Sequence, residues 1–402
     1  MSIDELRPTT VASWRPLRIA MIGQKGLPAT HGGVEHVVSE TGRRLAERGH
    51  EVTVYCRRSY GELPESPYLG MKVVGAPTVA RKHLDAIVHS ATSTAKALAS
   101  QHDVIHYHAL GPGLLAPLPR YLSTSKVVLT VHGLDHRRGK WGLGAQTVLR
   151  AAHWMSGRVP DRTIVVSDTL RQHYAEAFNR DTDHIPNGVS APVTQGPRQV
   201  SELGLRPGRY LLFVGRIVPE KAPDQLLEAF RRVAGDAQLA IVGDSSWTDE
   251  FAAQVRALAA RDPRVVLTGF RYDDCLAALY EHAGAFVQPS LEEGLPLTLL
   301  EAISHGTSVL VSDIGPHLEV LGPLPDAAGT TFRAGDTDDL ADALRTVVGT
   351  FGRSRGRTNA LQRQVMGRYD WDVATDLLEQ VYLSLVPPGS ERSLRTLRAV
   401  RP

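Results

Sequence analysis

The sequence has few cysteines, no long apolar run and no excess of charge of either sign. Only Cys56 and Cys275 occur among 402 residues, far apart and outside any zinc-finger spacing, so we expect neither a disulfide framework nor a zinc module. No stretch approaches 18 consecutive apolar residues, and the N-terminus carries acids instead of an apolar run. We therefore expect no signal peptide, no membrane span and a cytoplasmic protein.

The balanced charge and ordinary composition exclude several further classes. Lys and Arg number 45 against 43 Asp and Glu, a formal net charge of +2, so no overall field predicts a nucleic-acid partner. With 42% hydrophobic and 22% charged residues, the chain is neither disordered, collagenous nor a coiled coil. Its length predicts two domains, at roughly 100–200 residues each.

Short apolar runs alternate with helical stretches, and this rhythm occurs twice. Runs that read as strands cover 18–23, 51–56, 103–108, 127–133 and 163–167, and then 211–215, 238–243, 264–269, 284–290 and 308–313. Such alternation predicts an α/β fold with two doubly wound parallel sheets. A stretch rich in Pro, Gly and polar residues separates the halves. We predict an N-terminal domain over 1–190, a C-terminal domain over 191–368, a helix over 369–388 that can cross back to the first domain, and a basic tail over 389–402.

Ligands of open parallel sheets bind beyond the carboxyl ends of the strands, so the loops there are the places to search. The first loop, GQKGLPATHGGVE over 23–35, lacks both the GxGxxG order and a GKS or GKT, which excludes a dinucleotide fingerprint and a P-loop. Gly32 and Gly33 allow backbone N–H groups to approach an anion or a sugar closely at the next helix start. A flexible turn is the alternative interpretation.

Two cations follow the first strand of the second half. Arg216 and Lys221 lie between that strand and a helix that we expect to begin near Pro223, so both can converge on one anion. The planar guanidinium group of Arg216 and the ammonium group of Lys221 together suit a diphosphate. Two solvated loop cations are the alternative.

A pair of carboxylates follows a later strand of the same half. Glu293 and Glu301 are eight residues apart, with Gly294-Leu295-Pro296 before the helix. Carboxylates accept hydrogen bonds from vicinal sugar hydroxyls, and the N–H groups at 294 to 297 suit a phosphate. The two acids could merely complement the helix dipole. Glu301, however, interrupts an apolar series, and the dipole does not explain a carboxylate at that position.

His132 ends a strand of the first half and precedes a basic patch. The segment HGLDHRRGKW contains Asp135 and the cations Arg137, Arg138 and Lys140. A metal site is the alternative, because several histidines follow strands or Gly-rich turns: His31, His83, His106, His108, His132 and His136. Neither HxxxH nor HExxH occurs, and the histidines come from separate loops, which argues against it.

These residues together resemble the GT-B glycosyltransferases of family GT4, a retaining group that includes bacterial exopolysaccharide and lipopolysaccharide sugar transferases. The resemblance covers nearly the whole chain: GLPATHGGVE, His132, IPNGV, VGRIVPEK, IVGD, LTGF and the E-x7-E element from Glu293 to Glu301. The segments KHLDAIVHS, HYHALGPG and HGLDHRRGKW resemble a subgroup of rhamnosyl-, galactosyl- and glucosyltransferases. Many relatives carry an aromatic residue where this chain has His136.

The resemblance implies a GT-B fold, with two Rossmann-like domains facing a central cleft, and a role for each candidate residue. Arg216 and Lys221 would hold the donor diphosphate, Glu301 the ribose hydroxyls and Glu293 the donor sugar. Gly294 and Leu295 would offer backbone amides, while Gly32 and Gly33 would close on the phosphate. His132 would touch the sugar near its 6-position, and the base would rest against the loop that begins at Phe270. Such enzymes typically need no metal and no cofactor.

The predicted function is therefore the retaining transfer of a hexosyl group from a nucleoside-diphosphate sugar to a saccharide or lipid-linked acceptor, in polysaccharide or glycoconjugate biosynthesis. The acceptor would lie near Asp135, Arg137, Arg138 and Lys140. This patch and the basic tail suit a lipid-diphosphate at the inner membrane face. Two alternatives remain open: a nucleotide-sugar epimerase of the same fold, and a sugar- or nucleotide-binding protein without catalysis. The set of donor-site residues argues against the second.

Overall fold

The structure, a computed structural model, describes residues 15–29, 32–58, 62–78, 85–135, 143–244, 249–323, 329–351 and 359–386. Its N-terminal half contributes seven parallel strands: β1 (Arg18–Ile22), β2 (Glu51–Arg57), β3 (Lys72–Ala76), β4 (Val104–His108), β5 (Lys126–Val131), β6 (Arg162–Val165) and β7 (Asp183–His184). They form one sheet in the order β3-β2-β1-β4-β5-β6-β7. The helices of this half are α1 (Gly33–Glu47), α2 (Asp85–Ala99), α3 (Leu110–Gly113), α4 (Pro117–Leu122), α5 (Leu143–Ser156) and α6 (Asp168–Phe178).

The C-terminal half forms a second parallel sheet. Its strands are β8 (Tyr210–Val214), β9 (Gln238–Val242), β10 (Val265–Gly269), β11 (Ala285–Gln288), β12 (Val309–Ser312) and β13 (Gly329–Phe332), in the order β10-β9-β8-β11-β12-β13. Its helices are α7 (Arg198–Glu202), α8 (Pro223–Phe230), α9 (Asp249–Ala259), α10 (Asp273–Glu281), α11 (Leu297–Ser304), α12 (Gly315–Leu321), α13 (Thr337–Gly349), α14 (Asn359–Arg368) and α15 (Trp371–Leu385). A short 3-10 helix, Pro219–Lys221, follows β8.

The predicted α/β class with two doubly wound sheets is confirmed, but the strand count was too low. The strands that the prediction missed are β3, β7 and β13, and all three stand at the edge of a sheet. Edge strands pair on one side only and need fewer apolar residues. Accordingly, β7 has two residues and β13 carries two threonines among its four.

The last helix packs against the first. Asp370 caps α15 by accepting hydrogen bonds from the N–H groups of Asp372 and Val373, a common way to start a helix. Trp371 and Tyr382 of α15 are buried in the core of the first sheet's domain. At the end of α1, Arg48 and His50 contact Glu379 at 2.6 and 2.8 Å. The domain boundaries given above stay a prediction.

No helix in the described part of the chain combines the length and the apolar character needed to cross a bilayer. The two cysteines lie apart, Cys56 in β2 and Cys275 in α10, and both are free thiols.

Candidate active site

The two sheets meet through loops at the carboxyl ends of their strands. A Cβ added to Gly294, in the loop after β11, would lie 2.0 Å from the carbonyl oxygen of His132, in the loop after β5. A Cβ on Gly33, at the start of α1, would lie 3.1 Å from Leu297 Cδ1 at the start of α11. The loops predicted to hold a ligand therefore face one another across an inter-domain cleft, where such ligands bind.

Lys221 and Glu293 form an ion pair in this cleft. The Lys221 ammonium donates a hydrogen bond to Glu293 Oε1, and Gln288 and Ser290 donate to the same oxygen at 2.7 and 2.8 Å. Burial alone would raise the pKa of Glu293, but the charges of Lys221 and His317 and the hydrogen bonds from Lys221 and Ser290 outweigh it and hold that pKa at about 2. Glu293 is thus an ionised carboxylate that fixes the position of the ammonium.

Arg216 is backed by a deeper carboxylate. Its Nη2 lies 3.9 Å from Glu220 Oε1, and the Arg216 side chain is 38% exposed whereas that of Glu220 is 5% exposed. The same arrangement holds for Lys221 and Glu293, at 18% and 8%. In both pairs the cation lies nearer to solvent than its carboxylate. The positive ends of both pairs are therefore available to an anion in the cleft.

Lys25 is a third cation of the cleft, and the sequence analysis missed it. It lies in the Gly-rich loop after β1 and is half-buried. Burial lowers the pKa of Lys25; the charge of Glu35 opposes this shift, and the charge of Arg216 adds to it. Lys25 and Arg216 come from different domains, so two like charges face each other across the cleft. The sequence signal that could have identified Lys25 is a lysine within a Gly-rich loop that follows a strand.

Glu35 organises the Gly-rich loop, and it too was missed. Its Oε1 accepts a hydrogen bond from the backbone N–H of Lys25 at 2.8 Å. Gly32, just before α1, has φ +107°, and a Cβ there would meet Glu35 Oε2 at 2.3 Å. This backbone conformation is strained for any residue but glycine, and a Cβ would also displace the Glu35 carboxylate. The predicted contact of Gly32 and Gly33 with a phosphate stays a prediction.

Glu301 occupies an environment opposite to that of Glu293. It lies on α11, where Tyr280 of α10 donates its hydroxyl hydrogen bond to Glu301 Oε2 at 2.8 Å. Burial raises the pKa of Glu301, against smaller opposing effects of His36 and Tyr280. A carboxylate with one fixed donor, and without an ammonium beside it among the described residues, is suited to accept hydrogen bonds from hydroxyl groups.

The predicted row of N–H donors at 294 to 297 needs a correction. Pro296 has no N–H, and α11 begins at Leu297 with Pro296 as its N-cap. Within the described ranges, no backbone acceptor pairs with the N–H groups of Gly294 and Leu295. These amides lie just before a helix N-terminus, an environment that favours anions.

His132 belongs to a row of histidines on β4 and after β5. Its Nε2 lies 3.2 Å from His108 Nδ1, and the two rings stack with centroids 5.5 Å apart. The ring of His106 contacts that of His108 at a tilt of 33°, with centroids 4.1 Å apart. No group of three or more His, Cys, Asp or Glu side chains suited to a metal ion is found in the part of the chain that the structure describes.

The remaining predicted residues lie farther out or outside the described residues. Phe270 follows β10, and its ring stacks on Tyr272 with centroids 6.2 Å apart. Asp135 acts electrostatically on Tyr174 of α6. Outside the described residues lie Arg137, Arg138, Lys140, His31, His83, His136 and the tail 389–402.

Comparisons with known proteins decide the family. Residues 31–191 match the family described as Glycosyltransferase Family 4, and residues 208–349 match Glycosyl transferases group 1. The phosphatidyl-myo-inositol mannosyltransferase of Mycolicibacterium smegmatis is 30% identical over 378 residues, which cover 89% of this chain and 92% of that protein. The chain belongs to glycosyltransferase family 4. It is a transferase enzyme, as the resemblance implied.

Solved structures of other glycosyltransferases share the GT-B fold with this chain. Sucrose-phosphate synthase from Thermosynechococcus elongatus superposes with a TM-score of 0.79 at 22% identity, covering 91% of this chain and 98% of that one. HepE of Anabaena, in complex with UDP and glucose, superposes with a TM-score of 0.76 at 18% identity, covering 92% and 100%. The expected arrangement of two Rossmann-like domains around a cleft is confirmed.

Proposed function

We propose that this glycosyltransferase moves a hexosyl group from a nucleoside-diphosphate sugar to a saccharide or lipid-linked acceptor, with retention of anomeric configuration. The observation that carries the proposal is the ion pair of Lys221 with Glu293, whose side chain is 8% exposed, together with Arg216, which lies 3.9 Å from the carboxylate of Glu220. HepE, which shares the fold, was solved with UDP and glucose bound.

The arrangement provides the groups that a departing diphosphate needs. Arg216 and Lys221 neutralise the charge that develops as the nucleoside diphosphate leaves, and the amides of Gly294 and Leu295 stabilise the same oxygens. Both cations are already oriented by Glu220 and Glu293, so little reorganisation is needed during reaction. Because the leaving phosphate then takes the acceptor proton on the same face, the configuration is retained.

The other residues position the donor and keep water away. Glu301, held by Tyr280, accepts the ribose hydroxyls, Glu293 contacts the donor sugar, and His132 contacts its far side. Gly32 and Gly33 approach the phosphate from the opposite domain. Closure of the cleft is required, because the groups that hold the diphosphate and those that cover it lie on different domains.

Turnover by cation variants tests this proposal. Nucleotide-sugars are first screened by thermal shift, since a ligand of the native state raises its melting temperature. With the best donor, Arg216→Ala and Lys221→Ala are each expected to lower turnover at least about tenfold, because one charged hydrogen bond is worth about 1.5–3 kcal/mol. Near wild-type turnover in a folded double variant would refute the assignment.

A second incubation separates transfer from epimerisation. Without acceptor, the proposed transferase leaves the stereochemistry of the donor sugar unchanged. An epimerised donor in that incubation supports the epimerase alternative instead.

The site is proposed to work without a metal ion, because two cations and backbone amides take the place of one. Turnover is therefore expected to be unchanged in EDTA. A loss that Mg²⁺ or Mn²⁺ restores would contradict this.

The acceptor is proposed to bind near Asp135 and the basic segment 137–140. The related mannosyltransferase is named for phosphatidyl-myo-inositol, which fits a lipid-linked acceptor at a membrane surface. The basic segment and the tail 389–402 would attract anionic lipid. Binding to anionic vesicles is expected to fall when the tail is deleted and residues 137, 138 and 140 are neutralised; binding that survives both changes removes the basis for membrane contact.

A further inference from the structure

His108 is buried directly behind His132. It ends β4, is 1% exposed, and its Nδ1 lies 3.2 Å from His132 Nε2. The sequence alone predicts no role for it in the donor site, because a histidine within a buried strand is expected to be a core residue.

The ring of His108 rests on a fixed platform. His106 lies beneath it with centroids 4.1 Å apart. Both nitrogens of His106 are engaged, Nδ1 with the hydroxyl of Tyr382 at 2.6 Å and Nε2 with the hydroxyl of Thr130 at 2.7 Å. The orientation of His106 is therefore set by β5 and α15, and its ring, tilted by 33° to that of His108, restricts the orientation of His108 in turn.

The other nitrogen of His108 identifies the tautomer. Nε2 is fully buried and has no hydrogen-bond partner within the described ranges. A neutral imidazole carries one N–H, and burying an N–H without an acceptor is costlier and rarer than burying an unused acceptor. The proton of His108 is thus on Nδ1, and this N–H donates to His132 Nε2.

We propose that His108 is a positioning residue for the transfer reaction: its Nδ1–H holds His132 as a neutral ring whose own proton is on Nδ1. His132 then presents a hydrogen-bond donor at Nδ1, which suits an oxygen of the donor sugar. The kinetic part of this inference rests on the proposed function, whereas the tautomer does not.

The same contact opposes protonation of His132. A second proton on His132 must go to Nε2, and His108 would then have to move its own proton to the buried Nε2 position. Among the described residues, His106 on β4 contacts His108, and Tyr382 on α15 forms a hydrogen bond with His106. Burial lowers the pKa of His108 well below its usual value and that of His106 to about 3, and burial raises the pKa of Tyr382. All three stay neutral at physiological pH, so none of them places a charge beside His132.

Two substitutions at one position separate the hydrogen bond from packing. His108→Asn keeps a donor, because the amide nitrogen of Asn is as many bonds from Cα as Nδ1 is. His108→Leu fills similar space without a donor. His102→Leu is the control, because His102 precedes the same strand at its opposite end and is also buried, at 6% exposure.

The first measurement is independent of activity. In ¹⁵N-histidine NMR spectra at pH 7.5, His132 of the wild type and of His108→Asn is expected as the Nδ1–H tautomer, and His108→Leu is expected to lose that preference. A wild-type His132 with its proton on Nε2 would overturn the proposal.

The second measurement is the pH profile of turnover. His108→Leu is expected to lower kcat about fivefold or more at pH 7.5, the size of one lost hydrogen bond, and to lose further activity below about pH 6.5, where a free histidine protonates. His108→Asn and His102→Leu are expected to keep the wild-type profile. An equal loss in the Asn and Leu variants, with a wild-type profile, contradicts a positioning role. If no nucleotide-sugar is turned over by the wild type, the proposed function fails while the NMR result still decides the tautomer.

Discussion

Gly294 allows the two domains to come together, and a single methyl group at this position tests the cleft. In Gly294→Ala, the new Cβ would lie 2.0 Å from the carbonyl oxygen of His132, 2.7 Å from its carbonyl carbon and 3.2 Å from the N of Gly133. Ordinary contact begins at 3.4 Å. All three atoms are backbone, so no side chain can swing aside. The loops after β5 and β11 must therefore separate by about 1 Å or more.

Such a separation affects turnover far more than stability. Misplacement of about 1 Å in an active site costs roughly a hundredfold in rate. We therefore expect kcat to fall about a hundredfold, while the melting temperature falls little, because the strained contact lies between two loops and not within either sheet. Gly294 has no positive φ, so the effect is steric and not a matter of backbone conformation.

Gly367→Ala is the matched control. Gly367 lies in α14, and a Cβ there would meet nothing within 4 Å. This variant is expected to keep wild-type turnover and to gain slightly in stability, since alanine favours a helix over glycine. Steady-state kinetics and thermal melting of both variants are the assay. Wild-type kcat in Gly294→Ala would refute the contact between the two loops.

Two further predictions concern charges around the cleft, and a third concerns buried histidines. Tyr280→Phe removes the hydroxyl that donates a hydrogen bond to Glu301. The KM for the nucleotide-sugar is expected to rise about tenfold, and more at pH 6 than at pH 8, because the buried carboxylate then protonates more readily. A pH-independent KM would contradict this. Lys25→Met removes a cation from the cleft and is expected to raise the KM for the donor. The melting temperature is expected not to fall, because the lost ammonium faces the like charge of Arg216. An unchanged KM would show that Lys25 does not contact the donor. Acid is expected to destabilise the fold: burial lowers the pKa of several histidines, to about 4 in His89, His102 and His317 and about 3 in His106. The unfolded chain binds these protons from about pH 6.5 downward, so each such group lowers the free energy of unfolding by up to about 1.4 kcal/mol per pH unit between pH 6.5 and its folded pKa; equal urea midpoints at pH 7.5 and 5.5 would contradict this.

The sequence predicted correctly those features that depend on a single segment of the chain. The central strands are continuous apolar runs such as β1 and β8, and helices begin close to the expected prolines, α8 at Pro223 and α11 directly after Pro296. The loops after these strands then held the candidate residues, because parallel topology alone brings carboxyl ends together.

The rest depended on contacts between distant segments. The ion pair of Lys221 with Glu293 joins residues 72 positions apart, whereas the sequence pattern predicted a diphosphate as the ligand of Lys221 and a sugar as the ligand of Glu293. Lys25 gains its importance only by facing Arg216 from the other domain. His108 has the pattern of a core residue, and its neighbour His132 is 24 positions away. Contacts between such distant residues cannot be predicted from the local periodicity of the sequence.

The most direct test of the account is a crystal structure with a nucleoside diphosphate, either UDP or GDP, whichever raises the melting temperature more. The account predicts that the diphosphate contacts Arg216 and Lys221 and receives hydrogen bonds from the amides of Gly294 and Leu295, with Glu301 on the ribose. A diphosphate bound elsewhere, with both cations turned away from it, would contradict the account.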